Sequence, residues 1–312
     1  MPLDHTVTGI YPIAPTPFHE DGRIDFESIG GLTAFYRKVG VTGLTVLGVL
    51  GEASKLDDKE ALEVTSRFIR CADGLPVIVG VSAPGFAAMR ALARAAMDVG
   101  AAGVMIAPPN TLRTDEQIVG YYRQAVKAIG DDIPWAIQDY PLNFSVIMTP
   151  EVVRTIVNDN PTCVMVKHED WPGLEKISAF RAWQSEGTMR PVSILCGNGG
   201  LFLDFETERG ANGAMTGYAF PDMLVDVVRM QAGGARDAAH DLFDAHLPLL
   251  RYEQQPRLGL AVRQYVMAKR GMIASDAQRE PATRLSTAAR AEVDYLLSRL
   301  ARKDRRAAGL SD

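Results

Sequence analysis

The chain holds only three cysteines in 312 residues, Cys71, Cys163 and Cys196. They are widely spaced and odd in number, with no Cys-x-x-Cys pair and no cysteine–histidine cluster. That excludes a disulfide framework and gives no zinc-binding pattern. Positive charge is also short: 33 Lys and Arg stand against 38 Asp and Glu, for a net charge of -5. Such a balance leaves no electrostatic footprint for nucleic acid. The basic residues that do cluster, Arg299, Arg302, Lys303, Arg305 and Arg306, lie in the tail, where they suit a helix C-terminus that favours cations. No apolar run reaches the ~18 residues that a bilayer span needs. The opening residues carry no basic segment followed by an apolar core, so no secretory signal is expected. These absences fit a cytoplasmic protein that binds neither membrane nor nucleic acid.

What is present is apolar material in a regular order. Hydrophobic residues make up 47% of the chain, enough for a sizeable core. Short apolar runs at 8–14, 43–48, 76–82, 102–107, 134–139, 163–168, 191–197 and 213–217 read as strands. Between them, 25–39, 58–72, 86–99, 114–129, 149–158 and 173–184 read as helices. Ile29, Leu32, Phe35 and Tyr36 form one apolar stripe at helical spacing. Strands that are apolar throughout belong to a parallel sheet buried on both faces. Eight of them alternating with helices predict an α/β fold, a (β/α)8 TIM barrel over residues 1–222. A dinucleotide-binding open sheet usually carries Gly-x-Gly-x-x-Gly after its first strand, and none follows 10–14. Beyond 222 the strand signal stops. Helical patterns at 221–233, 235–252, 256–271 and 287–302 predict a C-terminal helical extension, 223–312, packed on the barrel.

Lys167 is the residue least at home in its surroundings. It lies near the end of an apolar, β-branched run, and an unpaired ammonium in a core costs several kcal/mol. Desolvation favours the free amine, the form that attacks a carbonyl to make a Schiff base. Lys167 therefore reads as a carbonyl-directed nucleophile. The alternative is an interior lysine paired with a carboxylate such as Glu52.

In a barrel of this kind the chemistry sits at the C-terminal ends of the strands. That rule selects Gly48-Val49-Leu50-Gly51-Glu52, Pro108-Pro109-Asn110, Gln138-Asp139-Tyr140, Lys167, Gly197-Asn198-Gly199-Gly200 and Met215-Thr216-Gly217. Alternation along a strand turns His168 toward the helices and gives Gln138 and Tyr140 one face. Gln138 can hydrogen-bond a substrate hydroxyl but does not titrate. Tyr140 is either a proton-moving phenol or a packing residue at the rim. Asp139 is expected to orient backbone. Glu52 closes its turn through backbone N–H groups or acts on substrate directly. Asn198-Gly199-Gly200 reads as a tight turn lining the pocket, with a phosphate site as the alternative. Met215 and Thr216 are expected in the pocket wall. No cofactor or metal is implied.

Together these features resemble the dihydrodipicolinate synthase / N-acetylneuraminate lyase family. The resemblance runs from Gly9 to about residue 300 and rests on four segments. They are the opening Gly9-Ile10-Tyr11-Pro12-Ile13-Ala14-Pro15-Thr16-Pro17-Phe18, the Gly-x-x-Gly-Glu loop at 48–52, the lysine of the sixth strand, and Gly210-Ala211-Asn212-Gly213-Ala214-Met215. It implies a homo-oligomer, dimer or tetramer, in which Lys167 forms an imine with C2 of a 2-oxo acid.

The departures narrow the reading. Val49 and Leu50 stand where the family usually has two threonines that hold the substrate carboxylate, although the backbone N–H groups of the turn through Gly51 still suit an anion. Gln138 stands where the family usually has a proton-relaying tyrosine, no tyrosine lies near Asn110, and Asn143 falls near the position of an arginine in dihydrodipicolinate synthases. Gln138-Asp139-x-Pro141, Gly213-Ala214-Met215-Thr216-Gly217, Phe220-Pro221-Asp222, and Leu247-Pro248-Leu249-Leu250 with Glu253 instead resemble dehydratases of 2-keto-3-deoxy sugar acids. The expectation is a lyase that removes water from such an acid. The alternatives are a dihydrodipicolinate synthase or pyruvate-dependent aldolase, and a barrel that binds a small acid without turnover. The candidate catalytic residues are Lys167, Gln138, Tyr140 and Glu52. The candidate substrate-binding residues are Val49, Leu50, Gly51, Asn110, Gly197, Asn198, Met215 and Thr216.

Overall fold

In the computed structural model, which describes residues 2–171 and 173–311, eight parallel strands form the centre of the molecule. They are β1 (Gly9–Ile10), β2 (Leu44–Val46), β3 (Val77–Gly80), β4 (Gly103–Ile106), β5 (Trp135–Asp139), β6 (Cys163–His168), β7 (Ser193–Cys196) and β8 (Gly213–Ala214). Hydrogen bonding runs in the order β1-β8-β7-β6-β5-β4-β3-β2. A parallel bridge between Ile13 and Thr45 joins the two ends into a barrel. There Ala14 N donates to Thr45 O and Thr45 N donates to Pro12 O, each at 2.9 Å. The expected (β/α)8 barrel is thus the fold observed.

The first strand is shorter than its apolar run. Tyr11 N and Ile13 N still donate to Ala214 O and Thr216 O, but Pro12 and Pro15 have no N–H and interrupt the ladder. Alternation along the strands makes two cores. Tyr11, Ile13, Ile78, Met105, Ala136, Met165, Leu195 and Met215 fill the barrel interior. Ile10, Val46, Val79, Ile106, Ile137, Val166 and Cys196 face outward onto the helices. Both faces are buried, which is why the strands read as unbroken apolar runs.

The ring of helices comprises α1 (Phe26–Lys38), α2 (Asp58–Ala72), α3 (Phe86–Asp98), α4 (Asp115–Ile129), α5 (Pro141–Phe144), α6 (Pro150–Asp159), α7 (Leu174–Ser185), α8 (Leu203–Glu208) and α9 (Pro221–Ala232). Side-chain caps mark several starts. Asp57 with Glu60 and Thr114 with Gln117 form capping boxes at α2 and α4. The sequence reading omits α5 and α8, which are too short for a 3.6-residue period to register.

Three further helices complete the chain: α10 (Arg236–Glu253), α11 (Gly259–Lys269) and α12 (Thr287–Ala301). A Cβ on Gly259 would collide with Glu253 O, so glycine lets the start of α11 lie close against the end of α10. This corner reaches the top of the barrel, where Gln254 packs on Gly199 and Gln264 reaches Glu52. Among the described residues, no helix is long and apolar enough to cross a membrane.

Candidate active site

Met165 points into the barrel, so Lys167, two residues on, does too, and Glu169 continues the same face. Lys167 is only 4% exposed, and its Nζ lies 2.8 Å from Glu169 Oε1. Gln138 sits beside Lys167 in the β5–β6 register and donates through Nε2 to the same oxygen, also at 2.8 Å. The other carboxylate oxygen accepts from Asn198 N at 3.2 Å, while Asn198 Nδ2 donates to Glu169 O at 2.9 Å. Three strand ends thus converge on one buried carboxylate that touches the amine.

Local backbone makes room for this cluster. A Cβ on Gly197 would fall on the Glu169 side chain, so only glycine leaves that space to the carboxylate. Asn198 and Gly199 both adopt positive φ, 48° and 69°, which turns the chain sharply after β7 and aims the Asn198 N–H at Glu169. Sequence reasoning missed Glu169. Its signal was the period of two from Lys167, which persists past β6 because Glu169 N still donates to Asp139 O at 2.8 Å.

The carboxylate facing Lys167 is therefore Glu169 and not Glu52. Glu52 is 2% exposed and held by other groups: Lys55 Nζ lies 2.5 Å from Oε2 and Gln264 Nε2 donates to Oε1 at 3.3 Å. Lys55 Nζ also donates to Arg279 O at 2.7 Å. Burial raises the Glu52 pKa, and the hydrogen bonds from Lys55 and Gln264 offset this only in part. The expected turn closure through backbone N–H groups gives way to these side-chain partners.

Val49, Leu50 and Gly51 form a short 3-10 turn. Val49 is exposed, Leu50 packs against the barrel-interior residues, and the buried Gly51 accepts from Thr16 Oγ1 at 2.7 Å. Met215 is fully buried among the apolar residues of the barrel interior. Thr216 is buried beside it, its carbonyl accepting from Ile13 N. Asn110 sits exposed in the loop after β4, where its carbonyl accepts from Arg113, and no hydrogen bond joins it to the Lys167 cluster among the described residues.

Tyr140 is half-buried just before α5. Burial, then the nearby Glu169 charge, push its pKa up to about 12, with Arg263 pulling the other way. It therefore keeps its proton near neutral pH, which leaves the phenol able to donate a hydrogen bond. On the opposite face, His168 Nε2 lies 3.0 Å from Gly173 O, turned toward the helices as alternation requires. Asp139, expected to orient backbone, pairs instead with Lys176 of α7 at 2.5 Å, and Lys176 also reaches Asp170 at 3.1 Å. Burial raises the Asp139 pKa, but the neighbouring His168 and Lys176, the latter hydrogen-bonded to it, outweigh this and hold the carboxyl below its ordinary value. These groups fasten β5 and β6 to α7 behind the reactive face.

The chain is similar to known proteins over nearly its whole length. L-2-keto-3-deoxyarabonate dehydratase of Azospirillum brasilense is 29% identical over 297 residues, 94% of each chain. A 4-hydroxy-tetrahydrodipicolinate synthase of Haloarcula marismortui is 27% identical over 151 residues, about half of each chain (48% of this one and 49% of that one). A crystal structure from Rhodopseudomonas palustris, described as dihydrodipicolinate synthase, is 66% identical and superposes with a TM-score of 0.95 over 96% of this chain and 99% of that one. The model of the dihydrodipicolinate synthetase family matches residues 6–300. With its barrel and a buried lysine at the end of the sixth strand, the chain belongs to that family and is a lyase.

Proposed function

We propose that this lyase forms a Schiff base between Lys167 and C2 of a 2-oxo acid and dehydrates a 2-keto-3-deoxy sugar acid. The observation that carries the reading is the buried contact of Lys167 with Glu169, shared by Gln138. An amine attacks a ketone and expels water to give an imine, which makes the adjacent C3–H acidic. The carboxylate beside the nitrogen is placed to take that proton, as a general base does. The electron pair left on C3 then expels the C4 hydroxyl. The proton returned from Glu169 makes the leaving group water. Hydrolysis of the imine consumes one water and frees Lys167, so the net change is loss of one water. Gln138 bonds a hydroxyl or holds Glu169 without titrating. The relative from Azospirillum, named for this reaction class, supports the same reading.

A second reading, dihydrodipicolinate synthase or a pyruvate-dependent aldolase, draws support from the Rhodopseudomonas structure. Both share the imine and differ at C3 and C4. A panel of 2-keto-3-deoxy acids assayed for water loss, set beside pyruvate plus aspartate semialdehyde, separates them. Water loss from a panel member at a useful rate is the expected result. Turnover of only the second pair contradicts it. Imine formation with no exchange of C3 protons for deuterium would leave a binding protein. We also propose a homo-oligomer in solution, supported by the exposed Leu142 of α5, by Ile147 in the segment after it and by Trp171, which meets Phe202 edge-on. Sedimentation of a monomer alone contradicts it.

A further inference from the structure

The turn that follows β2 is bracketed by two strained residues. Leu47 and Glu52 both adopt left-handed backbone, with φ of 55° and 54°. Neither is a glycine, and residues with a Cβ seldom take that conformation. It persists only where the surrounding structure over-determines it, and such residues gather at functional sites. At Leu47 the room comes from Gly80 of β3, because a Cβ there would meet Leu47 O at 2.3 Å.

At Glu52 the restraint is a side-chain clasp. Its buried carboxylate is gripped at both oxygens, by Lys55 Nζ at 2.5 Å and by Gln264 Nε2 of α11 at 3.3 Å. Lys55 Nζ also donates to Arg279 O at 2.7 Å, and Arg279 Nη1 donates back to Lys55 O at 3.0 Å. The corner of the turn is thus tied twice to the C-terminal extension. Arg263, which precedes Gln264 in α11, backs the same turn. A Cβ on Gly217 would meet Leu50 Cδ1 at 2.6 Å and Arg263 Nη1 at 2.7 Å, so the absent side chain leaves that space to Leu50 and Arg263. Val49 and Leu50 carry apolar side chains, so what the turn offers an acid is its backbone N–H groups.

We propose that Glu52 is a positioning residue for this turn: gripped by Lys55 and Gln264, it holds the left-handed corner and so keeps the backbone N–H groups in place for the C1 carboxylate of the 2-oxo acid. The proposal rests on the 2-oxo acid reading above. Without the clasp the strained corner relaxes, and N–H groups that were preset for the anion must be ordered at the expense of affinity. Helix α11 and the segment at Arg279 thereby take part in substrate binding through the turn.

Calorimetry with pyruvate and with its uncharged methyl ester, in wild type, Gln264→Met and Glu52→Gln, tests this. Gln264→Met nearly keeps the side chain's length and removes the donor. The expected result is a pyruvate Kd weaker by about 3- to 10-fold in Gln264→Met and by about 10- to 100-fold in Glu52→Gln, the spans of a lost weak and a lost charged hydrogen bond. Methyl pyruvate should bind within about twofold of wild type, and C3 exchange at saturating pyruvate should stay within about threefold, as for a loss confined to binding. Where Glu52→Gln alone does not fold, Glu52→Gln/Lys55→Met removes the buried pair together and leaves no lone charge. Pyruvate bound as in wild type, or both ligands weakened equally, overturns the proposal. So does an unchanged Kd with C3 exchange lost, which would make Glu52 a group that acts on substrate directly. Glu52-dependent pyruvate binding with no borohydride-trapped adduct in wild type would overturn the imine and leave the clasp standing. A wild type that binds no pyruvate overturns both.

Discussion

Replacing Glu169 with glutamine tests the division of labour at the site. The carboxylate faces Lys167 Nζ and Gln138 Nε2 at 2.8 Å and Asn198 N at 3.2 Å. All three are donors, so an amide put in its place sets an NH2 group against a donor on one side whichever way it is turned. Removing one partner of a buried ion pair costs ~3–5 kcal/mol. The amide oxygen recovers one hydrogen bond, worth ~1 kcal/mol, so a loss of about 3 kcal/mol in urea unfolding is expected. The amine remains, so borohydride still traps pyruvate. Exchange of the C3 protons of bound pyruvate with deuterium, followed by NMR, should fall by about 10²–10⁴-fold, the range of a lost general base. Exchange within about threefold of wild type, with the adduct intact, would refute the role given to Glu169.

Other substitutions probe the surroundings. Gly197→Ala puts a methyl group against the Glu169 side chain and should cost ~1–3 kcal/mol in urea unfolding while slowing C3 exchange; an active, equally stable variant contradicts the space argument. Lys176→Met leaves Asp139 buried without its cation and should cost ~3–5 kcal/mol, whereas pyruvate trapping per folded molecule should stay near wild type. Burial raises the Glu206 pKa from 4.5 to about 7, with His168 and Cys196 opposing it. A carboxyl whose folded pKa is raised binds a proton more tightly in the native state, so its penalty is absent below pH ~4.5, grows to pH ~7 and is complete above. Glu206→Gln should therefore gain stability over wild type as pH rises from 5 to 8, by up to ~3 kcal/mol, and a difference that does not vary with pH contradicts this.

The barrel was legible because its strands are buried on both faces, which writes each one as an apolar run; β6 is found at 163–168 as read. Helix α2 is likewise found at 58–72, bounded by its capping box. The short α5 and α8 left no periodic trace. Lys167 stood out because a charge in an apolar run is costly, but its partner did not. Glu169 lies one residue past the strand, where alternation is no longer counted, and Glu52 was the nearer candidate by motif. Arg263 was hidden for a different reason. It sits between Val262 and Val266 in a helix that reads as packing, and only the tertiary fold carries it against Gly217. Gly197 and Gly217 read as the last residues of strand runs, yet each leaves space that a side chain from elsewhere in the fold fills.

The central claim is that Lys167 attacks the carbonyl. Incubation with pyruvate, reduction with borohydride and mass spectrometry of the digested protein test it most directly. The account predicts one reduced pyruvate per chain, on the peptide that carries Lys167, and none in Lys167→Ala. An adduct that persists in Lys167→Ala, or wild-type protein that traps nothing, would contradict it.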